Sequence, residues 1–101
     1  MKIEKKTTSY FWRVCHFDFY MIYFSLDVEG SEFQILKTIP FHEVDIKVID
    51  LEVKHVGEIF PGTFEEILNY MNANEYDLHS KISNLDAIFV KRGFLDELNE
   101  L

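Results

Sequence analysis

Cysteine, glycine and proline are scarce in this 101-residue chain, which contains one cysteine, four glycines and two prolines. The single cysteine, Cys15, excludes an internal disulfide and a CxxC metal or redox site. With 48% hydrophobic residues, the chain is neither a disordered segment nor a flexible linker. No uncharged apolar run reaches the roughly 18 residues of a membrane-spanning helix. The basic start resembles that of a signal peptide, but the apolar stretch after it is broken by Arg13, His16 and Asp18, and no cleavage site follows. The composition therefore predicts a globular chain without direct membrane insertion.

Positive charge is also scarce, because 10 lysines and arginines stand against 18 aspartates and glutamates, for a net charge of −8. This net negative charge repels phosphate groups, so we expect no binding to nucleic acid or to anionic membranes. The length allows one small domain with a single modest core.

Hydrophobic periodicity predicts an α/β domain with the element order β-α-β-α-β-β. The nearly uncharged segment 20–27 is typical of a strand buried on both faces, and Val44 to Val53 is the second strand. A short helix between them makes a βαβ unit, whose strands we expect to be adjacent and parallel. The predicted elements are strand 20–27, helix 31–39, strand 44–53, helix 63–74, and hairpin strands 76–82 and 86–91, followed by two helical turns within 94–101.

Both predicted helices begin with a capping signal. Ser31 is the expected N-cap of the first helix, and Glu32 lies near its positive end. Thr63 and Glu66 form a capping box for the second helix, which should run to about Asn74. The apolar stripe of the second helix has helical spacing and consists of Phe64, Ile67, Leu68 and Met71.

Two pairs of acidic residues mark the ends of the predicted parallel strands. Asp27 and Glu29 close the first strand, Asp50 and Glu52 lie near the end of the second, and His55 follows. Ligands in open α/β sheets bind at the carboxyl ends of the strands, where these carboxylates could accept hydrogen bonds from an amine or hydroxyl, or act as a general base. The alternative is a set of solvated loop acids. His55 with two acids also resembles a metal site, but no HxxxH-type pair accompanies it, so we expect no metal.

The segment FSLDVEGSEFQILKTI, residues 24–39, resembles the strand–helix junction of FkbM-type methyltransferase domains. In that family D-x-E-G precedes a small residue, a glutamate and a leucine-rich helix. The resemblance continues through the strand FHEVDIKVIDLEV, the helix from Thr63 to Tyr76 and the closing strand DAIFVKRGF. Within the family, the sequence is most similar to the domains related to the insect protein Star.

The resemblance implies a class I, Rossmann-like fold that uses S-adenosylmethionine as its cofactor. It also implies that Asp27, Glu29 and Glu52 are the catalytic acids, beside the methyl donor and acceptor. It does not identify the methyl acceptor.

The resemblance covers residues 20–95 and departs from the family in one respect. The glycine-rich cofactor turn of the family precedes D-x-E-G, whereas this sequence has no glycine before Gly30. We therefore expect residues 20–95 to be the C-terminal half of the domain, with an aromatic-rich leader of unassigned role in 1–19 and a tail in 96–101. On this basis we do not expect the chain alone to bind S-adenosylmethionine or to be active.

Three interpretations of the function stay open. The chain could be a fragment or short isoform of a methyltransferase, or a truncated reading frame with no function of its own. It could also be a non-catalytic Star-like module in the trafficking of signalling proteins, which would imply endoplasmic reticulum, Golgi or endosomal membranes. Because strand 20–27 forms an apolar sheet edge, a protein partner or a second copy could pair with it unless the leader covers it.

Overall fold

The computed structural model describes residues 20–100, which form a small α/β fold with a four-stranded mixed sheet. The leader, including Cys15, lies outside the described residues. The strands are β1 (Tyr20–Leu26), β2 (Asp45–Glu52), β3 (Tyr76–Ile82) and β4 (Asp86–Lys91). The helices are α1 (Glu32–Leu36), α2 (Phe64–Ala73) and α3 (Phe94–Asn99). None of these helices has the length and apolar character needed to cross a bilayer.

The strand order in the described sheet is β1-β2-β4-β3. β1 and β2 are parallel neighbours, with Phe24 opposite Ile49 and Leu26 opposite Leu51. This confirms the predicted pairing of the βαβ unit. β4 pairs antiparallel with both β2 and β3, so the predicted hairpin is also confirmed, and its second strand is the one that lies against β2.

The hydrophobic core is centred on β2, which has a hydrogen-bonded neighbour on each side. Ile46 and Leu51 of β2 are fully buried, and Ile67 and Met71 of α2 belong to the same core. The buried Tyr76 at the start of β3 donates its hydroxyl hydrogen to the backbone oxygen of Ile46. The apolar stripe predicted for α2 therefore faces the core, as its spacing indicates.

β1 differs from the predicted strand buried on both faces. Phe24 and Leu26 are buried, whereas Ile22 and Tyr23 are 49% and 53% exposed. Within residues 20–100, β1 has a neighbouring strand on one side only. The apolar composition of the segment predicted the strand correctly but not the coverage of its faces, because coverage depends on which elements pack against it.

The start of α2 is capped as predicted. The Thr63 hydroxyl oxygen accepts a hydrogen bond from the Glu66 backbone N–H at 3.2 Å. The helix ends at Ala73 and is followed by the C-cap residue Asn74, which agrees with the predicted end. α3 corresponds to the helical turns predicted near the C-terminus.

The start of α1 corrects the prediction for Ser31. This residue occupies the N-cap position, but its side chain makes no capping hydrogen bond, and its φ of −97° and ψ of 10° are not the extended values typical of an N-cap. The α-helix also ends at Leu36, earlier than predicted, and the chain continues to Ile39 through tighter i→i+3 hydrogen bonds.

Candidate functional site

Acidic side chains meet at the edge of the sheet where β1 and β2 end. Asp27 and Glu29 follow β1, Glu52 is the last residue of β2, and His55 lies in the turn after it. Ligating atoms of Glu29, Glu52 and His55 lie within 4.8 Å of one another, and so do those of Asp27, Glu32 and Glu52. The predicted convergence of Asp27 and Glu52 at one sheet edge is confirmed, whereas the catalytic role of these acids stays a prediction. We call these five residues the acid cluster.

Glu32 is the member of the acid cluster that the sequence analysis missed as a site residue. Its side chain is buried, with 1% of the residue exposed, and it turns back toward the end of β1. Its carboxylate accepts hydrogen bonds from the backbone N–H groups of Val28 at 2.7 Å and Gly30 at 3.0 Å. A glutamate two residues after a turn glycine is a signal for such a contact, because acids at helix starts reach back to free N–H groups.

The turn between β1 and α1 has an unusual backbone. Glu29 and Gly30 have φ values of +55° and +107°, in the left-handed region that favours glycine. A Cβ atom at position 30 would lie 3.3 Å from the backbone oxygen of His55, so the turn packs closely on the loop after β2. The Glu32 carboxylate holds this turn, which lies between Asp27 and the start of α1.

Glu52 has the most strongly perturbed carboxyl group of the acid cluster. Burial, followed by the hydrogen bond and charge of Asp27 and the charges of Glu29 and Glu32, raises the pKa of Glu52 to about 7. Its Oε1 atom is buried and has no hydrogen-bond partner among the described residues. A carboxyl group with a pKa near neutrality can gain or lose a proton at physiological pH, which is what a general acid or base requires.

His55 connects the two loops that carry the acid cluster. Its Nε2 atom lies 3.3 Å from Glu29 Oε2, and its Nδ1 atom lies 3.1 Å from Glu58 Oε2. The hydrogen bond to Glu58 raises the pKa of His55 against the opposing effect of burial, and the charges of Glu58, Glu29 and Glu52 raise it further. Since both partners are carboxylates, the protonated imidazole is the form that donates to both.

Asp50 lies two residues before Glu52 on β2 and has a hydrogen-bond partner of its own. The Tyr23 hydroxyl on β1 donates a hydrogen bond to Asp50 Oδ2. On β4, opposite Glu52, the pKa of Asp86 is raised by burial and then by the charges of Asp50 and Asp27. The negative charge of the site therefore extends across three neighbouring strands.

The arrangement offers oxygen donors for a cationic group. A divalent metal ion, an ammonium group and a sulfonium group each meet the charge requirement, because each carries positive charge into a region with several carboxylates. The sequence-based expectation that the site holds no metal stays a prediction.

Comparison with known proteins adds one finding. The family model of the methyltransferase FkbM domain matches residues 4–78, which include the whole acid cluster. The match begins within the leader that the sequence analysis leaves unassigned, and it ends within β3. No curated protein and no solved structure matches the chain.

Proposed function

The chain belongs to the FkbM methyltransferase family, and from this membership we propose that the acid cluster is the acceptor side of an S-adenosylmethionine-dependent methyl-transfer site. The observation that carries the proposal is the raised pKa of Glu52 at the point where Asp27, Glu29 and Glu32 converge. A hydroxyl or amine acceptor must lose a proton when it is methylated. Glu52 accepts that proton, because a carboxylate with a pKa of about 7 is a stronger base than one with the ordinary value of 4.5.

The other members of the acid cluster assist Glu52 in different ways. Asp27 lies against Glu52 and stabilises the protonated form, since two neighbouring carboxylates avoid being charged together. Glu32 holds the turn after β1 through two backbone hydrogen bonds. Glu29 faces solvent and His55, where it can orient a bound cation or acceptor hydroxyl.

The described residues fit one end of S-adenosylmethionine. When bound, this cofactor supplies the methyl group, and its sulfonium and ammonium groups are positively charged, which matches the carboxylates of the acid cluster. The sequence has no glycine before Gly30, so these 101 residues do not themselves supply a glycine-rich turn that approaches the rest of the cofactor. We therefore propose weak binding by this chain alone, with full activity requiring further polypeptide.

The strand order supports placing this sheet in the C-terminal half of a Rossmann-like methyltransferase fold. A parallel pair, β1 and β2, is followed by an antiparallel hairpin whose second strand lies next to β2. Site-forming acids lie at the carboxyl ends of the parallel pair, the position at which open α/β sheets bind ligands.

The test is whether the chain distinguishes a sulfonium from a neutral thioether. Titration of the full chain with S-adenosylmethionine and S-adenosylhomocysteine at pH 8, followed by amide NMR shifts, should show tighter binding of S-adenosylmethionine by about five- to tenfold. Glu52→Gln and Asp27→Asn should each reduce this preference. Glu65→Gln, which removes an exposed acid from α2, is the control and should retain it. Equal affinity for the two ligands in the unmodified chain would contradict the proposal.

A non-catalytic Star-like module is the alternative function. It is favoured by the exposed side chains of Ile22 and Tyr23 on the edge strand β1, which offer a surface for a protein partner. No match to a curated protein supports a relationship to Star itself. A chain that binds neither S-adenosylmethionine nor S-adenosylhomocysteine, and that forms a stable complex through β1, would favour this alternative.

A further inference from the structure

An exposed apolar loop lies beside the acid cluster. The loop, residues 57–62, has the sequence GEIFPG, and its two large apolar residues, Ile59 and Phe60, are 64% and 40% exposed. Ile59 has the highest exposure among the exposed large hydrophobic residues of the described chain. We call residues 57–62 the apolar loop.

The apolar loop touches the acid cluster at two points. Glu58, within the loop, pairs with His55 at 3.1 Å. The Ile59 side chain packs on the turn after β1, because its Cδ1 atom lies 3.3 Å from the position of a Cβ atom at Gly30. Phe60 lines a shallow cleft together with Gly30 and Phe33. Apolar surface and carboxylates therefore adjoin at the turn after β1, where Ile59 packs on Gly30, the residue that follows Glu29.

The ends of the apolar loop lie close together. A Cβ atom on Gly57 would lie only 2.9 Å from the backbone oxygen of Gly62, so the chain closes tightly at the base of the loop. Both glycines have positive φ values, +87° and +154°. A loop closed at its base presents Ile59 and Phe60 at its tip, outside the hydrophobic core.

We propose that the apolar loop and the acid cluster together recognise a small amphipathic amine, whose apolar group packs on Ile59 and Phe60 and whose cationic nitrogen faces Glu29 and Asp27. This inference rests on the proposed function, since it names the class of methyl acceptor for the same site. Before methylation the bound ammonium passes one proton to the Glu52 carboxylate, which leaves the nitrogen lone pair free to accept the methyl group and gives a methylammonium product. Charge complementarity selects this class: the carboxylates repel an anionic acceptor and attract an ammonium group. The apolar residues add contact area that a purely polar amine could not use.

Three probes of similar shape and different charge test this inference with the full chain. Phenethylamine is cationic, 2-phenylethanol is neutral and 3-phenylpropionate is anionic. Phenethylamine should bind at least about fivefold more tightly than 2-phenylethanol, with amide shifts at the apolar loop and the turn after β1, and 3-phenylpropionate should bind least. Methylamine, which lacks the apolar group, should bind more weakly than phenethylamine. Equal affinity for the three phenyl probes, or shifts confined to another surface, would overturn the inference.

Substitutions on the apolar loop separate this inference from the proposed function. Phe60→Ser and Ile59→Ser should each weaken phenethylamine binding by about three- to tenfold and leave the preference for S-adenosylmethionine unchanged. Leu85→Ser, at an apolar position in the β3–β4 turn whose exposure lies between those of Phe60 and Ile59, is the matched control and should leave both unchanged. If the unmodified chain shows the sulfonium preference but no amine selectivity, or if Phe60→Ser and Ile59→Ser bind phenethylamine as tightly as the unmodified chain, this inference alone is overturned. Amine selectivity without the sulfonium preference supports amine recognition and overturns methyl transfer.

Discussion

Glu52 ends β2 beside Asp27 and close to Glu29 and Glu32, and its burial, followed by these acidic neighbours, raises its pKa from 4.5 to about 7. The folded chain therefore holds a proton that the unfolded chain releases at lower pH. The free energy of unfolding falls as the pH rises from about 4.5 to about 7, and this loss persists above pH 7. The property that suits Glu52 to accept a proton thus lowers the stability of the fold at neutral pH.

Glu52→Gln should remove this pH dependence. At pH 8 the variant should be more stable than the unmodified chain by about 1–2 kcal/mol, because no charge is buried beside Asp27. At pH 4, where Glu52 is protonated in both states, the two should differ little. Urea unfolding at both pH values measures the difference, with Glu65→Gln as a control that should show no such change. Equal stability of Glu52→Gln and the unmodified chain at pH 8 would show that burial and neighbouring acids do not destabilise the ionised Glu52 carboxylate.

At the scale of the elements, the two helices that flank β2 begin in different ways. Thr63 caps α2 with its own side chain, in an extended backbone conformation with φ −128° and ψ 162°. Ser31 makes no such bond at the start of α1, where the following residue, Glu32, turns its carboxylate back to the N–H groups of Val28 and Gly30. The side chain that stabilises a helix start is therefore selected by the direction in which the chain enters the helix.

Thr63→Ala and Ser31→Ala form a matched pair that tests this difference. Thr63→Ala should lower the free energy of unfolding by about 1 kcal/mol, because the Glu66 N–H loses its partner. Ser31→Ala should lower it by less than about 0.3 kcal/mol, since no capping bond is lost. Chemical denaturation of both variants measures the contrast, and a similar cost for the two substitutions would be inconsistent with the caps described here.

For the whole molecule, the two edges of the described sheet differ in character. β3 is an edge strand with exposed polar residues at Asp77, His79 and Lys81 and an irregular register between Leu78 and Ser80. Charges and irregular pairing protect an edge from pairing with another chain. β1, at the other edge, exposes two large apolar side chains, Ile22 and Tyr23, whereas β3 exposes one, Ile82, at its last position. The net charge of −8 opposes association through electrostatic repulsion between chains, but physiological salt limits the range of this repulsion to about 8 Å.

Self-association should therefore depend on β1. Ile22→Glu, on the exposed part of this strand, should weaken self-association of the full chain by about tenfold or abolish it, because a charge on an edge strand opposes pairing. Leu98→Glu on α3 changes the net charge equally at a similarly exposed apolar position and should have little effect. Sedimentation velocity over a range of concentrations measures both. A monomer at all concentrations for the unmodified chain would rule out β1 as a site of self-association.

The sequence by itself determined which segments form strands and helices and that β1 and β2 are parallel. Segment 20–27 carries few charges and many apolar residues, the stripe from Phe64 to Met71 has helical spacing, and a short helical crossover leaves a parallel arrangement as the favoured one. It also determined that Asp27 and Glu52 share one sheet edge, since parallel strands end on the same side. These features follow from local periodicity and from chain connectivity, both of which can be read along the chain.

Only the tertiary structure decided which face of β1 is covered, where Glu32 points, and how His55 and Glu52 are placed. Glu32 turns inward because two free N–H groups lie within its reach once the turn with φ of +55° at Glu29 has formed. The pKa of Glu52 depends on Asp27, 25 positions earlier in the chain, and the contact of His55 with Glu29 joins two separate loops. Burial and electrostatic coupling are properties of atoms close in space, so their values are set by packing between segments that are distant in sequence.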